Sequence, residues 1–178
     1  IAILANPMGR AHWREVIDAF PDPKALIWES GFIVLSHVPI LRHGCVSLGI
    51  ENALADTHHG PRQLDPGRAL FFEADTKAQL GRTTIIWVVD LPSDWHRSRW
   101  EMAGRAAAAI AGWTGVPTLH DQTGELTFGP PGAGFPKPDL VVGDFNSPRR
   151  SASHRRIVGD MTDAFDQAGI GYAASWPD

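Results

Sequence analysis

Short apolar runs without polar alternation recur along the chain, and such runs are typical of strands that are covered on both faces. The clearest is Thr83–Val89, which is almost wholly β-branched and aromatic. The full set of predicted strands is Ile1–Leu4, Ala25–Trp28, Phe32–Leu35, Val46–Ile50, Ala69–Ala74, Thr83–Val89 and Asp139–Gly143.

Apolar residues at helical spacing predict three helices between these runs. They cover His12–Phe20, Arg97–Trp113 and Ile157–Gly169, and Gly159 is a candidate break in the last one. The run Thr114–Pro138 is rich in Gly, Pro and Thr, so it predicts a loop. Strands that alternate with helices predict an α/β or α+β class, with sheets flanked by helices.

Length and composition set the frame for this fold. The chain has 178 residues, 43% of them apolar, which fits a single domain over 1–178. It starts inside an apolar run and stops just after an aromatic-rich approach, so we expect a domain that is incomplete at both ends. No stretch approaches 18 apolar residues, so the sequence predicts no membrane span, and we expect a monomer. A net charge of −4 leaves any contact with nucleic acid to a local patch.

The strongest chemical signal follows the predicted strand at Asp139–Gly143. Asp144 and Asn146 come directly after it, separated by Phe145. In an extended chain residues two apart point to the same side, so both side chains would project from the strand end. The carboxylate can orient and deprotonate a water, and the amide can donate to a developing phosphorane oxygen. An Asx turn before Ser147-Pro148 is the structural alternative.

Three segments, in order, resemble the endonuclease/exonuclease/phosphatase superfamily, the metal-dependent phosphoesterases related to deoxyribonuclease I. Val141–Pro148 is similar to its Gly-Asp-Phe-Asn motif. Gly31–Ile40 is similar to its Gly-x-x-x-Leu-Ser-Arg-x-Pro-Ile strand, with His37 in place of the usual Arg. Met161–Phe165 and Ser175–Pro177 resemble the approach to the last strands of the family.

The resemblance implies a four-layer sandwich, in which two mixed, mostly antiparallel sheets are flanked by helices. It also implies a Mg²⁺ or Mn²⁺ site, with Asp144 and Asn146 as catalytic residues and Asp144 as a metal ligand. Asp90 stands where the family has a phosphate-contacting His. Asn6 takes the place of the metal-binding Glu, although a second alignment register gives that role to Glu29.

We therefore expect hydrolysis of a phosphodiester or phosphomonoester, with a nucleic acid or a phospholipid headgroup among the candidate substrates. Four cations that follow the motif, Arg149, Arg150, Arg155 and Arg156, would attract phosphate or form a solvated helix face. The closing Ser-Asp-His motif of the family would follow Pro177 and is not in this sequence. The alternative is a catalytically impaired relative that serves as a binding or regulatory module.

Overall fold

The computed structural model describes residues 1–5, 15–50, 66–93, 97–121 and 123–169, which form a mixed α/β structure with two sheets. Residues 15–18 are helical. The strands are β1 Ala2–Ala5, β2 Ala25–Glu29, β3 Phe32–Ser36, β4 Ile40–Ser47, β5 Arg68–Ala74, β6 Thr84–Asp90, β7 Thr118–His120, β8 Leu126–Phe128 and β9 Leu140–Asp144. The helices are α1 Lys77–Leu80, α2 Arg99–Ala111, α3 Ala152–Val158 and α4 Ala164–Ala168.

The small sheet has the strand order β1-β3-β2, and both of its pairings are antiparallel. Its central strand β3 is buried along its whole length, as an uninterrupted apolar run requires. Residue Ser30, with φ 49°, and Gly31, with φ 80°, form the turn between β2 and β3.

The large sheet has the order β8-β7-β4-β5-β6-β9. Its pairings are antiparallel except for β6 and β9, which run parallel with Asp90 beside Asp144. Two parallel strands end at the same edge of a sheet, so the segments that follow β6 and β9 start side by side. The expected α/β class with two sheets is confirmed; the large sheet is mixed and mostly antiparallel, whereas the small sheet is wholly antiparallel.

Two clusters of buried residues fix the layers. One combines Ile27, Phe32 and Val34 of the small sheet with residues of β5 and β6, so the two sheets share a core. The other joins the opposite face of the large sheet to Met102, Ala103, Ala106 and Ile110 of α2. The side chain of Ser98 accepts a hydrogen bond from the backbone N of Glu101 at the start of this helix. Within the described residues, no helix has the length and apolar character needed to span a bilayer.

The predicted elements differ from the structure mainly in the middle of the chain. Of the strand expected at Val46–Ile50, only Val46 and Ser47 are in a strand, and they form the end of β4, which begins at Ile40. The expected loop at Thr114–Pro138 contains the three-residue strands β7 and β8. The helix expected from Ile157 begins earlier and is divided at Gly159, as predicted, into α3 and α4.

Candidate functional site

A row of polar side chains crosses the large sheet at one end, and we call it the strand-end row. Ser47 of β4 pairs with Arg68 of β5, and Arg68 pairs with Asp90 of β6. Asp90 then lies beside Asp144 of β9. Neighbouring strands are about 4.8 Å apart, so each of these residues is adjacent to the next.

The strand-end row lies on the face of the large sheet that packs against the small sheet. Two residues before the row, Leu70, Val88 and Val142 belong to the core between the sheets. Side chains alternate along a strand, so Arg68, Asp90 and Asp144 share that face. The row therefore stands at the rim of the space between the two sheets.

The turn that follows β2 lies over this rim. The guanidinium of Arg68 packs so closely on Gly31 that a side chain at that position would collide with its Nη1 atom. This contact places the end of the small sheet that carries the β2–β3 turn at the same end of the molecule as the strand-end row. Ala5 and Glu29 both pair with Phe32, so the segment after β1 also leaves the small sheet at this end.

Asp90 and Asp144 differ in exposure although they are neighbours. Asp90 is 5% exposed and Asp144 is exposed. Like charges directly opposite each other on adjacent strands destabilise a sheet, so a cation beside the exposed carboxylate of Asp144 would relieve the repulsion between the two residues. Gly143 lets β9 lie close to β6 at this point, because its φ is 143° and a Cβ there would collide with the carbonyl oxygen of Val89.

Asn146 does not continue the extended chain, because its φ is 45°. Its backbone N donates to Asp144 Oδ1 at 3.0 Å, which is the Asx turn considered above. Its Nδ2 donates to the carbonyl oxygen of Leu91 at 2.6 Å, which joins the segments after β6 and β9. The prediction that Asp144 and Asn146 project from the same side of an extended strand is therefore wrong, because the strand ends at Asp144 and Asn146 lies in the turn. The buried hydroxyl of Ser147 has no hydrogen-bond partner among the described residues.

Of the two candidates for the early metal ligand, Asn6 lies outside the described residues. Glu29 reaches the large sheet: its Oε2 accepts from His43 Nε2 at 2.8 Å and its Oε1 accepts from Cys45 Sγ at 2.9 Å. The hydrogen bond from His43 holds the pKa of the Glu29 carboxyl below its usual value, against burial, which raises it. Glu29 therefore links the two sheets through β4.

His43 extends this link, because its Nδ1 lies 2.7 Å from Nε2 of His120 on β7. Burial lowers the pKa of His120, and the neighbouring His43 lowers it further, so His120 is neutral at neutral pH. Burial, reinforced by the Glu29 carboxylate, raises the pKa of the Cys45 thiol to about 11. Such a thiol is protonated and unreactive at neutral pH.

The arginines that follow Asn146 do not act as one cluster. Arg149 pairs with Asp163 and Asp166, and Arg150 pairs with Asp166. Arg156 lies over the ring of Trp100, 4.1 Å from its centroid. Carboxylates therefore compensate the charges of Arg149 and Arg150, whereas Arg156 contacts the ring and the carbonyl oxygen of Trp100.

A cavity of about 470 Å³ lies along the outer edge of β9, between that strand and the two C-terminal helices. Leu140, Val142, Arg155, Val158 and Met161 are among its lining residues. Asp90 and Asp144 do not line it, so this cavity and the strand-end row are separate features.

The donor set at the strand end suits a hard cation. Mg²⁺ is bound in proteins by one or two carboxylates with retained water, and Asp90 and Asp144 supply two carboxylates. Among the described residues, no group of three or more His, Cys, Asp or Glu side chains is arranged to hold a metal ion. The fit therefore rests on a pair of carboxylates.

The comparisons with known proteins give no relative. No family model matches the sequence, and no curated protein or solved structure matches it. The assignment of a function therefore depends on the geometry of the strand-end row.

Sequence reasoning missed Arg68 and Ser47. Each lies at the end of a strand that flanks a polar loop, where a charged or hydroxyl side chain is ordinarily solvated. Only the register of β4, β5 and β6 brings them into line with Asp90. The signal available beforehand was weak: a glycine, Gly67, followed by one arginine in front of an apolar run.

Proposed function

We propose that the chain is a divalent-metal-dependent phosphoesterase of the endonuclease/exonuclease/phosphatase type. The observation that carries the proposal is the register of Asp90 beside Asp144 at the ends of two adjacent parallel strands. Two carboxylates side by side attract a divalent cation, and a cation at a strand end attracts a phosphoester. Mg²⁺ or Mn²⁺ is the cofactor.

In this proposal each residue of the site has one task. Asp90 and Asp144 hold the metal ion, which when bound polarises the phosphoryl oxygens. Asp144 also orients the attacking water, because it is the exposed member of the pair. The amide of Asn146 has two N–H groups, and within the described part of the chain one of them donates, to the Leu91 carbonyl oxygen. The second is available to donate to a developing charge on phosphorus oxygens.

The finer architecture belongs to the same proposal. Helix α2 on one face of the large sheet and the small sheet on the other supply three layers. A helical layer on the outer face of the small sheet would complete the four-layer sandwich that the sequence motifs imply.

A second candidate is a relative with impaired catalysis that serves as a binding or regulatory module. The bond from Asn146 Nδ2 to the Leu91 carbonyl oxygen favours it, because the same amide then holds the fold together. So does Asp90, which as an ionised carboxylate cannot donate to phosphate. The two candidates differ in one measurable property, turnover.

The test is hydrolysis of bis-p-nitrophenyl phosphate and p-nitrophenyl phosphate by the full chain, with Mg²⁺, Mn²⁺ or a chelator. The proposal predicts turnover that needs the metal and falls at least 100-fold in Asp144→Asn and Asp90→Asn. Asp139→Asn is a matched control, since Asp139 lies at the opposite end of β9 and pairs with Arg82. Metal-independent turnover, or turnover that is equal in all variants, would exclude the proposed site. Metal binding without turnover would favour the binding module.

A further inference from the structure

Arg68 is unusual among the arginines of the described residues. It is half-buried, yet it has no hydrogen-bond or ion-pair partner among the residues that the structure describes. The N–H donors of its guanidinium are therefore open to a ligand. The other half-buried arginines of the described chain all interact with partners: Arg42, Arg97, Arg99 and Arg149.

The position of Arg68 is equally specific. It stands next to Asp90 in the strand-end row, with Asp90 between it and Asp144. Its guanidinium is held over the backbone of Gly31, which limits the directions that it can take. The strand register and this contact together set its place beside the two carboxylates.

We propose that Arg68 is the phosphate-binding residue of this site and that the N–H donors of its planar guanidinium bind the phosphate group of the substrate. The inference rests on the proposed function, which it deepens. Arg68 pairs in register with Asp90 and so places a positive charge one strand away from the two carboxylates. Guanidinium groups bind phosphate oxygens in pairs, with both geometry and charge matched.

The charge balance of the strand-end row supports this role. Arg68 adds a positive charge beside a cation held by Asp90 and Asp144. It therefore increases the attraction of the row for a phosphate group that the cation also binds.

The test measures binding of inorganic phosphate to the full chain by calorimetry, with and without Mn²⁺, alongside hydrolysis. Arg68→Met is expected to weaken phosphate binding at least tenfold in the presence of Mn²⁺. Arg68→Lys, which keeps the charge but loses the fork, is expected to lie between Met and wild type. Arg82→Met is the matched control, since Arg82 is exposed and pairs with Asp139 at the other end of the sheet.

A measurement on the unaltered protein guards against a variant that fails to fold. Phenylglyoxal modification of Arg68, followed by mass spectrometry, is expected to slow at least threefold when phosphate and Mn²⁺ are added, while modification of Arg82 is unchanged. Equal phosphate affinity in wild type and Arg68→Met, or no protection of Arg68, would overturn the assignment. Phosphate binding that depends on Arg68 in a chain without turnover would sustain the assignment and refute the hydrolase proposal, so the two failures are distinguishable.

Discussion

Glu29 joins the two sheets, and its removal is a direct test of how they are held together. In Glu29→Ala the Nε2 of His43, a residue only 5% exposed, loses the acceptor that now lies at 2.8 Å. A buried donor left without an acceptor costs about 1–3 kcal/mol. For a chain of this size that corresponds to a fall in Tm of about 3–9 °C.

The assay is thermal unfolding at pH 7 with a matched surface control. Glu101→Ala removes an exposed pair with Arg105 on α2, and such pairs contribute about 0.3–0.5 kcal/mol. Glu29→Gln keeps an acceptor oxygen and is expected to lose less than half as much stability as Glu29→Ala. If Glu29→Ala were no more destabilising than Glu101→Ala, the contact between the sheets would not have the role given to it here.

The pH dependence of the same comparison has a defined sign. The pKa of Glu29 is lowered in the folded chain, so the ionised carboxylate stabilises the fold above its unfolded pKa, near 4.5. That contribution is lost as the pH falls through the lower, folded pKa. The difference in free energy of unfolding between wild type and Glu29→Gln is therefore expected to be full at pH 6 and to shrink below pH 4.5.

Three further predictions concern single positions. Gly31 and Gly81 both have a positive φ, 80° and 71°, so Gly31→Ala and Gly81→Ala introduce the same kind of backbone strain, but only Gly31→Ala also displaces Arg68. Gly31→Ala is therefore expected to lower the free energy of unfolding, measured by chemical denaturation, by about 1 kcal/mol more than Gly81→Ala. It is also expected to weaken phosphate binding, which Gly81→Ala leaves intact. Gly44→Ala would place a Cβ 2.8 Å from two aromatic rings of the core, and an unfolding free energy reduced by less than about 1 kcal/mol would contradict this packing. Cys45, with a pKa of about 11, is expected to react with iodoacetamide at pH 8 at least tenfold more slowly than free cysteine. A rate equal to that of free cysteine would contradict its burial. The protonated thiol also contributes to stability, and this contribution is lost as the pH rises towards 11.

Much of the sheet framework could be predicted from the sequence, because all-apolar runs such as Thr83–Val89 and Asp139–Gly143 have few other stable arrangements. The parallel pairing of β6 and β9 could not, since register depends on which faces meet in the folded chain. Strands of three residues, such as β7 and β8, carry too little pattern to be distinguished from a loop.

The candidate site divides in the same way. Asp144 could be found because it ends an apolar strand, and Asn146 because it follows so closely, whereas Asp90 was singled out by the resemblance alone. The positive φ of Asn146 could not be predicted from spacing, because the rule for extended chains holds only within the strand. Arg68 joins the site through pairing alone. The strand-end row is therefore a property of the register, which local sequence does not encode.

Binding of Mn²⁺ to the full chain, measured by electron paramagnetic resonance, tests the central claim most directly. A cation held by the adjacent carboxylates of Asp90 and Asp144 predicts one site, weakened at least tenfold by Asp144→Asn or by Asp90→Asn and unchanged by Asp139→Asn. In metal-free buffer Asp144→Asn is also expected to raise the free energy of unfolding by about 0.2–1 kcal/mol, because it removes a repulsion between neighbouring strands. Mn²⁺ affinity that is the same in all three variants and in wild type would contradict the account.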